Sequence, residues 1–337
     1  MNIDMHSHAF PPAYIELLRE RGTLGDVQFV AGEGEGADVL VVEGGRRRVA
    51  MTPRHVDHAV LLADMGSSDI DCSALSPSPT MFHYELDETD AVDCVRAINS
   101  GFAAMAQESG GRHVVLATVP LQHGDLAIAE LAFAVDSCGA RGVAIATNIN
   151  GRNLDDPDFR PFFSDVAERG LPLFIHPANV LGADRLSRYY LGNLIGNPVE
   201  TGVAVASLIF GGVLDDFPGL QVILCHGGGV TTSLLGRWDH GFDVRPEPKS
   251  HIDRLPTEYL DHFYYDTITH DSTSLTALIE RVGDDHVVLG SDYPFDMGDA
   301  TPMASLQAVP DLSAESFSKI AGGNAATLLK MGVPNSA

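Results

Sequence analysis

The arrangement of apolar segments constrains the fold of this chain more than any other feature of its sequence. Eight short runs are almost continuously hydrophobic, as strands covered on both faces of a sheet are. They are NIDMHSH (2–8), DIDCSALS (69–76), HVVLATVP (113–120), GVAIATN (142–148), LPLFIHP (171–177), QVILCHGGG (221–229), FYYDTI (263–268) and HVVLGSDYPF (286–295). Helical patterns separate most of them, at 87–109, 125–139, 156–170, 199–216, 231–243, 272–282 and 313–331.

This alternation predicts an α/β fold. Eight strands with intervening helices favour a closed (β/α)8 TIM barrel, with residues 1–337 forming a single domain. An open doubly wound sheet gives a similar alternation and is the alternative.

One interval departs from the alternation. Residues 10–60 are too many for a single helix, and 27–31, 38–43 and 46–51 have the pattern of short strands with glycines at the turns. We interpret 10–60 as a small β-rich insertion after strand 1. Loops that follow barrel strands surround the active site, so this insertion is expected to form a lid.

Composition narrows the functional classes. The formal net charge of −25 argues against a nucleic-acid partner, which would require a basic face. No apolar run is long enough to span a membrane, and the N-terminus lacks the pattern of a secretory signal. The four cysteines show no CxxC pairing and are expected to be buried, reduced thiols. These features predict a cytoplasmic protein with no membrane or nucleic-acid partner.

Histidines and one aspartate lie at the ends of the predicted strands. His6 and His8 are two residues apart in strand 1, so they project from the same face. His176 ends strand 5, His226 ends strand 6 and Asp292 ends strand 8. A lone histidine at such a position is often a helix cap or a partner of a backbone carbonyl, but five residues at four strand ends favour a metal site. Imidazoles with one carboxylate suit Zn²⁺, with open positions for water or substrate.

The motifs around these residues resemble the amidohydrolase superfamily and, within it, the aminocarboxymuconate semialdehyde decarboxylase group. The matching segments are IDMHSHAFPP, MFHY, VPLQ, NLDD, IHPAN, ILCHGGG, LLGRWD, LGSDYPF and GNAATLLK, in order over nearly the whole chain. The resemblance implies that His6, His8, His176 and Asp292 hold one Zn²⁺ per subunit. It implies that His226 is not a tight ligand and instead handles the proton of the metal-bound water. Mn²⁺, Fe²⁺ or Co²⁺ would suit the same ligands.

Two absences refine this interpretation. Binuclear members of the superfamily bridge their metals with a carboxylated lysine after strand 4, and GVAIATN has no lysine. Deaminase-type members have an acidic residue soon after the strand-5 histidine, where this chain has Pro177, Ala178, Asn179 and Val180. A mononuclear site that is not a deaminase is therefore favoured.

Arginine is the bidentate partner for carboxylates, and the resemblance implies two arginine positions. One is in the insertion, at Arg46, Arg47 or Arg48, with Arg48 favoured because an apolar stretch follows it; a solvated hairpin is the alternative. The other is Arg237 in LLGRWD, which would reach the active site of the neighbouring subunit of a homodimer. A helix-surface arginine is the alternative there.

Other residues are expected near the substrate. The resemblance places Tyr189 where the group has tryptophan, and Phe82 and His83 at the mouth after strand 2, with His83 replacing a small residue. Asp266 and His270, after strand 7, are candidates to support the metal ligands. The glycines 227–229 would either cradle a phosphate or allow close approach of the backbone to a metal-bound substrate.

Together these features predict a metal-dependent, oxygen-independent decarboxylase of a small unsaturated or aromatic carboxylate, such as 2-amino-3-carboxymuconate 6-semialdehyde. Metal-bound hydroxide, formed with help from His226, would add to the conjugated system before CO₂ leaves, and Asp292 would both ligate the metal and accept hydrogen bonds. A hydrolase or hydratase of a ring-cleavage product, lactone or amide is the alternative. A barrel that only binds a carboxylate metabolite, or that uses zinc as a scaffold, is a third hypothesis.

Overall fold

The computed structural model of the chain describes residues 1–32, 38–42 and 47–331, with only the backbone of Arg47. Its strands are β1 (Ile3–His8), β2 (Thr23–Leu24), β3 (Val27–Val30), β4 (Val39–Val42), β5 (Arg47–Ala50), β6 (Cys72–Ser76), β7 (His113–Ala117), β8 (Gly142–Ala146), β9 (Asn148–Ile149), β10 (Arg152–Asn153), β11 (Leu173–His176), β12 (Val222–Leu224), β13 (Phe263–Asp266) and β14 (Val287–Val288).

The α-helices are α1 (Pro12–Arg21), α2 (Pro53–Val56), α3 (His58–Ser67), α4 (Glu88–Glu108), α5 (Gly124–Cys138), α6 (Arg160–Arg169), α7 (Asn197–Phe210), α8 (Val213–Asp216), α9 (Thr231–Val244), α10 (Ser272–Val282), α11 (Pro302–Gln307), α12 (Ala314–Ser318) and α13 (Asn324–Leu328). Within the described ranges, no helix combines the length and the apolar character needed to cross a bilayer.

Eight parallel strands form the barrel in the order β1-β6-β7-β8-β11-β12-β13-β14. The β1 edge meets the segment after β14 through four backbone hydrogen bonds: from Met5 N to Leu289 O (2.8 Å), from His8 N to Tyr293 O (2.7 Å), and from Ser291 N and Asp292 N to His6 O (3.3 and 2.8 Å). All eight predicted strands are present, and the first is hydrogen-bonded to the segment that follows the last, so the predicted barrel is confirmed and the open sheet is excluded. All residues of its strands except Tyr264 are buried, which explains the unbroken hydrophobic patterns.

Several predicted elements differ at their ends. The predicted helix 199–216 is two helices, because Gly212 adopts φ +70° and interrupts the α-helical backbone. The predicted strand 221–229 ends at Leu224, where the chain turns through four residues of positive φ, from His226 to Gly229. The predicted helix 313–331 contains a π-helical turn at Lys319–Gly323.

The insertion carries a four-stranded antiparallel sheet, β2-β3-β4-β5, which we call the small sheet. Its strands include the three predicted from the sequence, and β2 adds a short fourth. Helix α1 precedes the sheet and α2 follows it, so the interval 10–60 contains helix as well as strand. Its buried apolar side chains are those of Leu24, Val27, Leu40, Val42 and Val49.

Candidate metal centre

Four of the predicted ligands lie together at the carboxyl ends of the barrel strands. One ligand atom from each of His6, His8, His176 and Asp292 lies within 4.8 Å of the other three, and all four residues are buried. The Nε2 atoms of His6 and His8 are 3.1 Å apart and lie 3.3 and 3.2 Å from Asp292 Oδ1. The barrel thus brings together residues that are up to 286 positions apart in the sequence.

The hydrogen bonds of each imidazole determine which nitrogen faces the cluster. His6 Nδ1 donates to Asp266 Oδ2 (2.6 Å), His8 Nδ1 to Pro77 O (3.1 Å) and His176 Nδ1 to Pro177 O (3.0 Å). A carbonyl or carboxylate oxygen can only accept, so each neutral imidazole carries its proton on Nδ1. When all three imidazoles are neutral, which is the form that binds a metal, their Nε2 atoms therefore present lone pairs to one point.

This arrangement fits a cation. His176 Nε2 and Asp292 Oδ1 are buried and have no hydrogen-bond partner among the described residues. Three nitrogen lone pairs and a carboxylate oxygen would repel one another at these distances unless a positive charge lay between them. Nitrogen and oxygen donors of this kind are those that zinc and other divalent first-row metals prefer.

The pKa shifts are consistent with a site built for one positive charge. Burial lowers the pKa of His176 well below its usual value, and it lowers the pKa of His8. Burial disfavours a charge on His6 as well, but Cys225, Asp292 and other acidic neighbours hold its pKa well above the ordinary value. Burial acts to raise the pKa of Asp292, yet the surrounding imidazoles keep it well below the usual range. Asp292 is therefore a carboxylate.

His226 stands beside the four ligand candidates and faces a different oxygen. Its Nε2 is 3.5 Å from Asp292 Oδ2, whereas Oδ1 faces His6 and His8. The His226 ring lies 5.2 Å from the ring of His6 and is 17% exposed, in contrast to the buried ligand candidates. It therefore combines contact with the centre and access to solvent.

Asp266, at the end of β13, binds both the imidazole of His6 and the backbone of the loop that carries His226. Besides His6 Nδ1 it accepts hydrogen bonds from the backbone N–H groups of His226 (2.9 Å), Gly227 (2.7 Å) and Ile268 (3.0 Å). Burial acts to raise its pKa, but the hydrogen bond from His6 and the other contacts lower it, so Asp266 is ionised. The sequence suggested Asp266 only as a supporting residue, and its four hydrogen bonds show how it orients His6 and the His226 backbone.

The glycines 227–229 have a structural explanation. The N–H groups of Gly228 and Gly229 donate to Cys225 O and His226 O, and those of His226 and Gly227 donate to Asp266. These donors are thus engaged within the protein, so the phosphate cradle considered from the sequence is not formed. A Cβ at position 228 would collide with Tyr265, and one at 229 with the backbone of Pro198.

Sequence reasoning missed Asp4. This buried carboxyl accepts hydrogen bonds from His6 N (3.0 Å), Ser291 N (3.1 Å) and Ser291 Oγ, and burial raises its pKa to about 6. It joins β1 to the segment that carries Asp292, at the point where the barrel closes. A charged residue inside the apolar run NIDMHSH was the available signal.

A cavity of about 600 Å³ opens beside His226. Its wall comes from the start of α7 and the segment before it, the β12–α9 turn with the first turn of α9, the β13–α10 loop, one side of α10 and Met297. His270, one of the residues suggested after strand 7, lines this cavity and does not contact the ligand candidates. The cavity therefore adjoins the centre through His226 and is large enough for a small-molecule substrate.

The predicted substrate arginines lie elsewhere in the described structure. Arg48 is exposed on β5, paired with Val41, and Arg237 is exposed on α9. Arg46 is outside the described residues, and the Arg47 side chain is as well. Neither Arg48 nor Arg237 lines the cavity of a single subunit.

The predicted aromatic contacts are also separate from this cavity. Phe82 is buried and stacks on Tyr84, with ring centroids 5.6 Å apart. His83 is 5% exposed, and its two ring nitrogens contact Tyr14 (2.7 Å) and Glu85 (3.2 Å), which leaves neither nitrogen for a substrate. Tyr189 is 76% exposed, so the subunit itself does not place it against the centre.

Comparisons with known proteins agree with this geometry. The family model described as amidohydrolase matches residues 3–331. A 2-amino-3-carboxymuconate-6-semialdehyde decarboxylase of Dictyostelium discoideum is 33% identical over 330 residues, which cover 98% of this chain and 91% of that protein.

Solved structures share the fold over the same extent. The apo structure of Metarhizium anisopliae IDCase superposes with a TM-score of 0.86 at 25% identity and covers 98% of this chain and 97% of its own. A dihydroxybenzoic acid decarboxylase from Polaromonas was solved with manganese and an inhibitor. It has a TM-score of 0.79 at 22% identity, and the match covers 99% of this chain and 98% of that one.

Proposed function

This chain belongs to the amidohydrolase family, and we propose that it decarboxylates a small unsaturated or aromatic carboxylate in a metal-dependent, oxygen-independent reaction. The observation that carries the proposal is the cluster of three histidine Nε2 atoms and one carboxylate oxygen at the barrel mouth. The name of the Dictyostelium relative makes 2-amino-3-carboxymuconate 6-semialdehyde the first candidate substrate.

In this proposal His6, His8, His176 and Asp292 would hold one divalent ion per subunit. Zinc is the first candidate, and the manganese bound by the Polaromonas enzyme makes that metal the second. A divalent ion supplies Lewis-acid polarisation of an oxygen in its open positions and lowers the pKa of water bound there.

His226 is the proposed acid–base residue. Decarboxylation leaves an electron pair on the carbon that loses CO₂, and a proton must take its place. The partial exposure of His226 and its 3.5 Å distance from Asp292 Oδ2 support a role in which it accepts a proton beside the centre and returns one to the substrate. The two hydrogen bonds that Asp266 accepts from the His226 and Gly227 amides hold the backbone of that residue in place.

We propose that the remaining substrate contacts form in a homodimer. Arg237 is exposed and has no ion-pair partner within the described part of the chain, as expected of a side chain that reaches a neighbouring site. Arg48 or Arg47 on the small sheet would bind a substrate carboxylate, and Tyr189 would complete the mouth. A cytoplasmic location is part of the proposal, since all four cysteines are buried and free.

The direct test is a reaction trace with zinc- or manganese-loaded protein and freshly generated 2-amino-3-carboxymuconate 6-semialdehyde. Loss of substrate absorbance with stoichiometric CO₂, abolished by a chelator and restored by metal, is the expected result. Substrate loss without CO₂ would instead establish a hydrolase or hydratase at the same centre. Stability changes on chelation with no turnover of any tested carboxylate would indicate a binding protein.

The role of His226 has its own prediction. His226→Ala should lower kcat by about 10²–10⁴-fold while leaving the metal content unchanged, because His226 is not one of the four ligand candidates. Metal analysis and steady-state kinetics measure the two effects separately. His240→Ala, an exposed histidine on α9, is the matched control and should keep full activity. Full activity in His226→Ala would remove His226 from the mechanism.

A further inference from the structure

The cavity beside His226 differs in charge from the rest of the protein. The chain has 46 acidic residues and a net charge of −25, yet no Asp or Glu is among the described residues that line this cavity. Its ionisable groups are His226, His270 and Arg281, and four of its residues carry hydroxyl groups, namely Thr232, Ser233, Thr269 and Ser274. A wall without carboxylates in so acidic a protein is suited to an anionic ligand.

Among the described residues that line this cavity, Arg281 is the only arginine. Ser274, Ala277, Leu278 and Arg281 are spaced i, i+3, i+4 and i+7, so they form one stripe along α10 that faces the cavity. Leu278 lies close to Gly227, next to His226, because a Cβ at Gly227 would be 3.6 Å from Leu278 Cδ2. The stripe thus leads from the catalytic histidine to the guanidinium.

The guanidinium of Arg281 is available for a ligand. Most arginines of the described chain pair with a carboxylate, as Arg152 does with Asp156 and Arg254 with Asp215. No described carboxylate lies within 4.0 Å of Arg281, which is exposed. An unpaired guanidinium in a wall free of acids can bind an incoming carboxylate through two parallel hydrogen bonds.

We propose that this cavity is the subsite for a second acidic group of the substrate, and that Arg281 is the specificity-determining residue that binds it. The inference rests on the proposed function, since the first carboxylate is the one lost beside His226. Leu278, the residue of the stripe beside Gly227, is three residues and about 4.5 Å along α10 from Arg281, which sets the guanidinium away from His226. The substrate class is therefore an extended dicarboxylate, and a short monocarboxylate leaves Arg281 without a partner.

The test compares two ligands that differ only at the far end. trans,trans-Muconate and sorbate have the same six-carbon conjugated diene chain with a carboxylate at one end. At the other end muconate has a second carboxylate and sorbate has a methyl group. Calorimetric titration of the metal-loaded protein should show muconate binding about 10- to 100-fold more tightly than sorbate. Arg281→Met should remove that preference without changing the sorbate Kd, and Arg281→Lys should restore part of it.

Arg245→Met is the matched control, because it removes one exposed positive charge that pairs with Glu247 outside the cavity. It should keep the muconate preference. Equal affinity for both ligands in the unsubstituted protein, or an unchanged preference in Arg281→Met, would overturn the subsite. So would a change in oligomeric state of Arg281→Met without an effect on the preference, since Arg281 would then serve an interface.

Binding and turnover separate the two proposals. A muconate preference that depends on Arg281, in a protein that releases no CO₂, would support the subsite and refute the decarboxylation. CO₂ release from 2-amino-3-carboxymuconate 6-semialdehyde without any such preference would refute the subsite alone.

Discussion

At the scale of single residues, the chemistry of the centre depends on which nitrogen of each histidine carries its proton. Asp266 fixes this for His6, whereas the carbonyls of Pro77 and Pro177 fix it for His8 and His176. The carboxylate is the strongest of these partners, because a charge-assisted hydrogen bond is shorter and stronger than one to a carbonyl. Asp266 should therefore contribute to metal binding without being a ligand.

Replacing Asp266 tests this contribution. Asp266→Asn should weaken metal binding by about 10- to 100-fold, because the amide no longer supplies a charged acceptor that orients His6 and increases its basicity. Competition titration with a chromophoric chelator measures the affinity. Asp261→Asn is the matched control, since the Asp261 side chain is 94% exposed. An unchanged affinity in Asp266→Asn would mean that the barrel alone orients His6.

At the scale of elements, a chain of hydrogen bonds that starts at two buried residues, Tyr14 and His83, connects the small sheet to the barrel. Tyr14 on α1 donates to His83 Nε2 (2.7 Å), His83 Nδ1 donates to Glu85 (3.2 Å), and Glu85 accepts from Asp26 N (3.1 Å) in the β2–β3 turn. Gly25 completes the turn with φ +54°, and a Cβ there would collide with Glu85. His83 thus positions the small sheet.

Removing one hydroxyl tests this connection. Tyr14→Phe should lower the free energy of unfolding by about 1–2 kcal/mol, because the buried His83 Nε2 loses its donor while the ring of residue 14 keeps its packing. Urea unfolding measures the change. Tyr189→Phe removes a hydroxyl from an exposed residue and should change stability by less than about 0.5 kcal/mol. Equal effects of the two substitutions would contradict the proposed role of the chain of hydrogen bonds.

At the scale of the whole molecule, a second pair of histidines lies away from the centre. His113, at the start of β7, is 4% exposed, and its ring lies 5.1 Å from that of His58 on α3. Burial, with a smaller effect of the charges on His58 and Arg112, lowers the pKa of His113 to about 3. An ordinary histidine in the unfolded chain has a pKa near 6.5.

This difference predicts how stability depends on pH. Between pH 6.5 and about 3 the unfolded chain binds a proton at His113 that the folded chain does not, so stability falls as the pH falls. The contribution of this one residue approaches about 1.4 kcal/mol per pH unit. His113→Asn keeps a hydrogen-bonding partner for Ser73 Oγ and should give a shallower decline in the free energy of unfolding between pH 6 and 4. His240→Asn changes an exposed histidine on α9 and should leave the pH dependence of the free energy of unfolding unchanged. The same pH dependence in His113→Asn as in the unsubstituted protein would show that His113 does not cause the decline.

The barrel was predictable because its strands are buried on both faces, and a two-sided burial leaves unbroken apolar runs in the sequence. The family and the decarboxylase class were predictable for a related reason. Each candidate ligand ends such a run, and the ends of parallel strands meet at one edge of the barrel. Both predictions are confirmed, by the strand order and by the family and relatives of the chain.

Residues that act through long-range contacts were less predictable. His83 looked like a mouth residue because it follows β6, but its partners Tyr14 and Glu85 hold it inside the protein. Arg281 lies in an ordinary amphipathic helix, and its sequence neighbours do not show that the wall around it lacks carboxylates. Asp4 carried a signal in its apolar run, yet its partner Ser291 is 287 residues away.

The sequence by itself therefore determined the order of the strands, the ends at which polar residues emerge and the donor types available to a metal. These follow from local patterns of burial and from the fixed geometry of extended chain. Only the tertiary structure decided the tautomers of the ligand candidates and the different neighbours of the two carboxylate oxygens of Asp292. It alone also decided that no acidic residue is among the described residues around Arg281 in the cavity wall. Hydrogen bonding and electrostatics act over a few ångströms of space, and folding brings residues hundreds of positions apart within that range.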